Sequence, residues 1–187
     1  MTALVKGSLS AMARQGNVGL AEAFLNADTV ILVDTSGSMN VSDGRDDRRS
    51  RYERACDELA RLQGSLQGRI AVISFSTTAL FCPAGTPAYL GGGTNLAGAL
   101  EFVQIADGVV DRFIVISDGQ PDNEGKALKV AAQFTTTIDT IFIGAPGSAG
   151  ADFLRRLAAA RGGQAVTIAG AARLAERVER LLLGAAA

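Results

Sequence analysis

The chain of 187 residues is 48% hydrophobic and 20% charged, which fits a single domain with a buried core. Its 18 basic and 19 acidic side chains leave a formal net charge of −1, so no excess of positive charge favours nucleic acid or an anionic membrane as a ligand. The absence of histidine excludes the imidazole general base, the Ser–His and Cys–His nucleophile pairs and zinc sites that use imidazole.

The cysteines and the N-terminal segment suggest where the protein works. Cys56 and Cys82 lie far apart within apolar patterns, and we expect buried free thiols rather than a disulfide or a CxxC site. The N-terminal residues lack the apolar stretch of a signal peptide, and no segment approaches the roughly 18 apolar residues of a membrane span. We therefore expect a cytoplasmic protein that does not contact a membrane.

Along the chain, helical spacing of apolar residues predicts a helical extension over residues 1–27, followed by a domain over 28–187. In that domain, continuous apolar strands alternate with amphipathic helices. The predicted strands are 29–33, 69–76, 79–83, 111–117, 138–144 and 164–168, and the predicted helices are 52–66, 96–103, 124–134, 151–161 and 171–183. The alternation predicts an α/β fold, a doubly wound and mostly parallel six-stranded sheet with helices on both faces. The segment 79–83 ends at Pro83, which favours a short edge strand.

Polar side chains follow three of these elements. Asp34, Ser36 and Ser38 occupy alternate positions directly after the first strand, Thr94 lies in a loop with three glycines, and Asp118 follows another strand. In an open parallel sheet such residues meet in the crevice beyond the carboxyl ends of the strands. Two carboxylates and three hydroxyls are hard oxygen donors, so the sequence predicts a site for a hard divalent cation.

The predicted cation is Mg²⁺, with Mn²⁺ as an alternative. Ca²⁺ usually takes six to eight oxygens, whereas Mg²⁺ takes about six and keeps waters, which suits a small donor set with an open position. Because only two carboxylates would surround a doubly charged ion, a carboxylate from a partner would be attracted to that position.

The stretch VDTSGS, the threonine of GGGTNL and the stretch ISDG resemble, in order and spacing, the metal-ion-dependent adhesion site of von Willebrand factor type A domains. The resemblance covers about residues 28–183. It implies that Ser36, Ser38 and Thr94 give hydroxyls to the metal, while Asp34 and Asp118 bind it directly or through water. It also implies that the short edge strand is antiparallel.

The resemblance implies binding rather than turnover, with a Glu or Asp of a protein partner on the metal. Without a signal peptide or a terminal cysteine pair, the chain looks more like the stand-alone cytoplasmic bacterial members, which often act as adaptors for ring ATPases. In some relatives the last helix shifts with the site, and movement of 171–183 is a hypothesis here.

Other interpretations of the same residues stay open at this point. Asp34 or Ser38 could cap the following turn, and Thr94 could cap the helix after it. Asp122 could support the metal ligands from behind, but capping of the helix near Asn123 is favoured. A Mg²⁺-dependent phosphatase-like hydrolase would use Asp34 as its nucleophile, but it requires a second acid where this chain has Ser36. A metal-free scaffold is the third possibility. The polar segment 40–51 is either a solvated loop or a loop that faces a partner.

Overall fold

The computed structural model describes residues 8–16, 19–42, 49–65, 70–144, 147–168 and 180. Within them, six strands form one sheet: β1 (Thr29–Asp34), β2 (Ile70–Phe75), β3 (Ala79–Phe81), β4 (Arg112–Ser117), β5 (Thr137–Ile143) and β6 (Ala165–Ile168). The helices in the same part of the chain are α1 (Leu9–Gly16), α2 (Leu20–Leu25), α3 (Arg51–Ser65), α4 (Leu96–Val103), α5 (Glu124–Ala131) and α6 (Ala149–Ala159). Short 3₁₀ turns span Gly37–Asn40 and Gln104–Ala106.

The strand order is β3-β2-β1-β4-β5-β6. Every neighbouring pair is parallel except β2 and β3, which pair antiparallel at the sheet edge. This confirms the predicted fold class, a mostly parallel six-stranded sheet with one short antiparallel edge strand.

The continuous apolar run of β1 is explained by burial on both of its faces. Val30 and Leu32 belong to a core cluster that also contains buried residues of α4, α5 and α6. Ile31 and Val33 point the other way, into a second cluster with Ala55 and Leu59 of α3. The sheet is therefore covered by helices on both faces, and β1 lies at its centre.

The two N-terminal helices contribute to the first of these clusters. Leu9 and Ala13 of α1 and Ala23 of α2 are buried in it, and Ser8 forms a parallel bridge with Ile70 at the start of β2. Packing on the domain accounts for the apolar positions at helical spacing. The division of the chain between residues 27 and 28 stays a prediction.

The helix ends are set by local caps that the apolar pattern does not reveal. The Ser148 side chain accepts a hydrogen bond from the Ala151 amide, so α6 begins at Ala149, two residues before the predicted start. The predicted last helix, 171–183, falls outside the described residues except for residue 180. In the described part of the chain, no helix is both long enough and apolar enough to span a bilayer.

Candidate functional site

The candidate site lies at the carboxyl ends of β1 and β4, the two central strands. From β1 the chain continues to β2 on one side, whereas β4 pairs with β1 on the other side. The strand order therefore reverses between β1 and β4, which is where open α/β sheets form a crevice that binds ligands. Asp34 is the last residue of β1, and Asp118 follows the last residue of β4.

Asp34 is fully buried, and both of its carboxylate oxygens accept hydrogen bonds. Oδ1 accepts from the Ser36 amide at 2.9 Å, and Oδ2 accepts from the Ser117 hydroxyl at 2.6 Å. Burial raises the pKa of Asp34, and the bonds from Ser117 and Ser36 only partly oppose that rise. The carboxylate is thus held in one orientation, in a setting that disfavours its charge.

A chain of hydroxyls connects this region to the second carboxylate. The Ser36 and Ser38 Oγ atoms are 3.2 Å apart, and Ser38 Oγ donates to Asp118 Oδ1 at 2.7 Å. The 3₁₀ turn Gly37–Asn40 positions these serines, because Ser36 immediately precedes it and Ser38 lies within it. The structure therefore brings four of the five predicted ligands, Asp34, Ser36, Ser38 and Asp118, into one hydrogen-bonded group.

Arg51, the first residue of α3, also reaches this group. Its Nη1 atom lies 2.7 Å from Asp118 Oδ2. The Asp118 side chain is buried in this ion pair, while the Arg51 side chain is 21% exposed. Both oxygens of Asp118 are therefore engaged, one by the Ser38 hydroxyl and the other by a guanidinium.

Thr94 lies in a loop that contacts the serine turn through its backbone. The Gly37 amide donates to the Gly92 carbonyl at 3.1 Å, and the Gly91 amide donates to the Thr35 carbonyl at 2.9 Å. Gly91 and Gly92 have φ of +66° and +78°, a region that favours glycine, which explains the glycine run. Among the described residues no hydrogen bond joins Thr94 to the four grouped ligands, so Thr94 is a neighbour of the group and not part of its network.

Two capping interpretations are wrong. The side chain of Asn95, not Thr94, caps α4 by accepting from the Gly98 amide. Asp122 does not cap α5, because Asn123 does so by accepting from the Lys126 amide at 2.8 Å.

Asp122 instead holds the Thr94 loop against the β4 end. Its Oδ1 accepts from the Thr94 amide at 3.0 Å, and its own amide donates to the Thr94 carbonyl at the same distance. Ser117 and Arg51 contact the group as well, and neither was predicted. Ser117 could have been found from its place beside Asp118 at a strand end, whereas nothing distinguishes Arg51 from the other arginines of the polar segment.

The residues present fit a hard divalent cation by their chemistry. No group of three or more His, Cys, Asp or Glu side chains that could hold a metal occurs among the described residues, so any metal here would depend on hydroxyls. Ser38 donates its proton to Asp118 and accepts from the Ser36 hydroxyl, so its oxygen keeps one lone pair for a cation. Oxygen-only donors of this kind suit Mg²⁺ or Mn²⁺ rather than zinc or copper.

No protein-family model and no curated protein matches the sequence. Several solved structures do. An aerotolerance-related membrane protein from Bacteroides fragilis has a TM-score of 0.65 at 16% identity, covering 84% of this chain and 99% of that one. A von Willebrand factor type A protein from Catenulispora acidiphila has a TM-score of 0.62 at 20% identity, covering 83% of this chain and 42% of that one. The manganese-loaded TRAP protein of Plasmodium vivax has a TM-score of 0.60 at 15% identity, covering 84% of this chain and 74% of that one.

These likenesses establish the architecture. The chain has the von Willebrand factor type A fold, which confirms the resemblance seen in the sequence at the level of fold. The likeness rests on shape, at 15% to 20% identity. The assignment of Asp34, Ser36, Ser38, Thr94 and Asp118 to a metal stays a prediction.

Proposed function

We propose that this protein is a metal-dependent protein–protein interaction module. Asp34, Ser36, Ser38, Thr94 and Asp118 would hold Mg²⁺ or Mn²⁺ directly or through water. The bound ion would act as a Lewis acid that takes a Glu or Asp side chain of a protein partner at an open position. A ring ATPase is the partner class that the resemblance favours.

The observation that carries the proposal is the hydrogen-bonded group at the ends of β1 and β4. Buried carboxylates normally pair with a cation or are neutralised, and Asp34 has only neutral donors around its two oxygens. A divalent cation beside Asp34 would supply a positive charge that its described hydrogen-bond donors, the Ser36 amide and the Ser117 hydroxyl, lack. The exposed Ser38 places one edge of the group at the surface, where a partner's side chain can reach it.

The test of the metal site is thermal unfolding with Mg²⁺ or Mn²⁺, compared with Ca²⁺ and with chelator. A ligand that binds only the folded state stabilises it by about 2.7 kcal/mol at a hundredfold excess over Kd, which raises Tm by several degrees. We expect this rise in the wild type and its loss in Asp34→Asn, which keeps the side-chain shape. Asp152→Asn makes the same change from carboxylate to carboxamide at an exposed position on α6. It is therefore the matched control and should respond like the wild type.

An equal Tm in metal and in chelator for the wild type would contradict the metal site and leave the metal-free scaffold as the better description. If the site does bind metal, partner capture should depend on Mg²⁺, be reversed by chelator, and fail for Asp34→Asn and for Thr94→Ala. Partner capture that survives both substitutions would show that the partner binds elsewhere.

The hydrolase alternative has less support in the structure. Asp34 would be the nucleophile, yet both of its oxygens accept hydrogen bonds and the residue is fully buried. A lysine near the phosphate would also be needed. Lys126 is instead paired with Glu101 on α4 at 3.0 Å. Phosphoester turnover that disappears in Asp34→Asn would nevertheless establish this alternative.

A cytoplasmic location is part of the proposal. Cys56 and Cys82 are both free, as expected in a reducing compartment. Burial raises the pKa of the Cys56 thiol to about 11, which makes it a poor nucleophile and a poor metal ligand at neutral pH. Cell fractionation with antibody detection would test the location.

A further inference from the structure

The ion pair between Arg51 and Asp118 is the feature of the site that the proposed function does not explain. A carboxylate expected to face a metal is already paired with a protein cation, at 2.7 Å and with its side chain removed from solvent. The contact is between distant parts of the chain, since Arg51 starts α3 and Asp118 follows β4. The Arg51 backbone is also fixed, because its amide donates to the Val41 carbonyl at 2.9 Å.

We propose that Arg51 acts as a permanent cation of the candidate site. Its guanidinium orders Asp118 when no metal is bound, and it lowers the affinity of the site for a divalent cation. This inference rests on the proposed function, since it concerns the same site. It assigns the guanidinium a role as an affinity-determining residue rather than a merely structural one.

Arg51 and a bound metal ion would compete for the same carboxylate. Asp118 Oδ2 accepts from the guanidinium and Oδ1 accepts from the Ser38 hydroxyl, so an ion bound by Ser38 would share the Asp118 carboxylate with Arg51. Two cations that share one carboxylate repel each other. For a single and a double charge roughly 6 Å apart, the repulsion is worth about tenfold in an equilibrium constant even at the dielectric constant of water.

The ion pair between Arg51 and Asp118 also stabilises the site when no metal is bound. A buried carboxylate without a cation would be costly, and Arg51 removes that cost when no metal is present. The site can then lose its metal without local rearrangement of Asp118. An ion held with reduced affinity exchanges readily, which would make partner binding responsive to the concentration of free metal.

The experiment measures binding of Mn²⁺ alone, by the electron paramagnetic resonance signal of the free ion, to the wild type, Arg51→Gln, Arg51→Lys and Arg49→Gln. Arg49 is the matched control, because it lies two residues away, has the same charge and pairs with the exposed Asp57 at 2.9 Å. We expect Arg51→Gln to bind Mn²⁺ at least about tenfold more tightly than the wild type. Arg51→Lys and Arg49→Gln should bind like the wild type.

Several outcomes would overturn the inference. Unchanged or weaker Mn²⁺ binding in Arg51→Gln would show that Arg51 does not oppose the metal, and equally tight binding in Arg51→Lys and Arg51→Gln would show that its charge is not the cause. If Arg51→Gln does not fold, the comparison of Arg51→Lys with the wild type decides, since a shift in affinity with the charge retained contradicts the proposal. Absence of Mn²⁺ binding by both the wild type and Arg51→Gln would contradict the proposed function itself, a result distinct from all of these.

Discussion

Asp34 is a residue whose burial costs the folded protein free energy. The buried carboxylate receives hydrogen bonds from the Ser36 amide and the Ser117 hydroxyl, but these do not fully offset its loss of solvation. Its pKa is therefore raised above the ordinary value of 3.8. A carboxylate whose pKa is raised by folding takes up protons more readily in the folded state than in the unfolded chain.

This pKa shift gives a pH dependence with a definite sign. Because the folded state binds the proton more tightly, the contribution of Asp34 to stability falls as pH rises from about 3.8 through the raised pKa. In chelator, Asp34→Asn should therefore gain stability relative to the wild type as pH rises over that interval. Urea unfolding of both proteins at a series of pH values measures the difference, and a difference that is independent of pH would contradict the shift.

Among the elements, the turn between α6 and β6 depends on glycine. A Cβ added at Gly163 would lie 2.0 Å from the Ile138 carbonyl oxygen, which belongs to the backbone of β5 and cannot move aside. At Gly162, where φ is +65°, an added Cβ would meet nothing within 4 Å. Neighbouring glycines are thus required for two different reasons, close approach of the backbone in one and a left-handed conformation in the other.

We expect Gly163→Ala to cost more than about 3 kcal/mol, because the strand pairing of β5 or the turn must shift to relieve the contact. Gly162→Ala is the control and should cost about 1 to 2 kcal/mol, the usual penalty for a left-handed alanine. Urea unfolding measures both. Equal costs for the two variants would mean that steric contact with β5 is not what requires Gly163.

The elements were more predictable from the sequence than their contacts. Continuous apolar strands and apolar stripes on helices can be predicted, because residue types indicate which positions are buried. The strand Thr29–Asp34, which is buried along its whole length, is an example. Ser117 could have been noticed beside Asp118, but its hydrogen bond to Asp34 could not be predicted. That bond depends on the register of β1 against β4, which places Val33 beside Ile116 and brings the strand ends together. Arg51 could not be predicted either, because its reach to Asp118 depends on where α3 starts.

For the whole molecule, the N-terminal helices share the core of the sheet. Leu9 is 1% exposed and lies in the same cluster as the central strands. We expect Leu9→Ala to cost about 2 to 5 kcal/mol, as for a leucine removed from a well-packed core. Ile105→Ala, at a residue that is 74% exposed, is the control and should change stability by less than about 0.5 kcal/mol. Chemical denaturation checks both, and an equally small effect of Leu9→Ala would show that α1 is peripheral to the core.

The placement of the site on the two central strands has a consequence for hydrogen exchange. Strands β1 and β4 each pair with a neighbouring strand on both sides, so their amides exchange with solvent mainly when the whole domain opens. A ligand held by Asp34 and Asp118 lowers the population of that opened state, and core amides far from the ligand then exchange more slowly by the same factor. Binding of a ligand at the carboxyl ends of the central strands would thus slow hydrogen exchange throughout the interior of the protein.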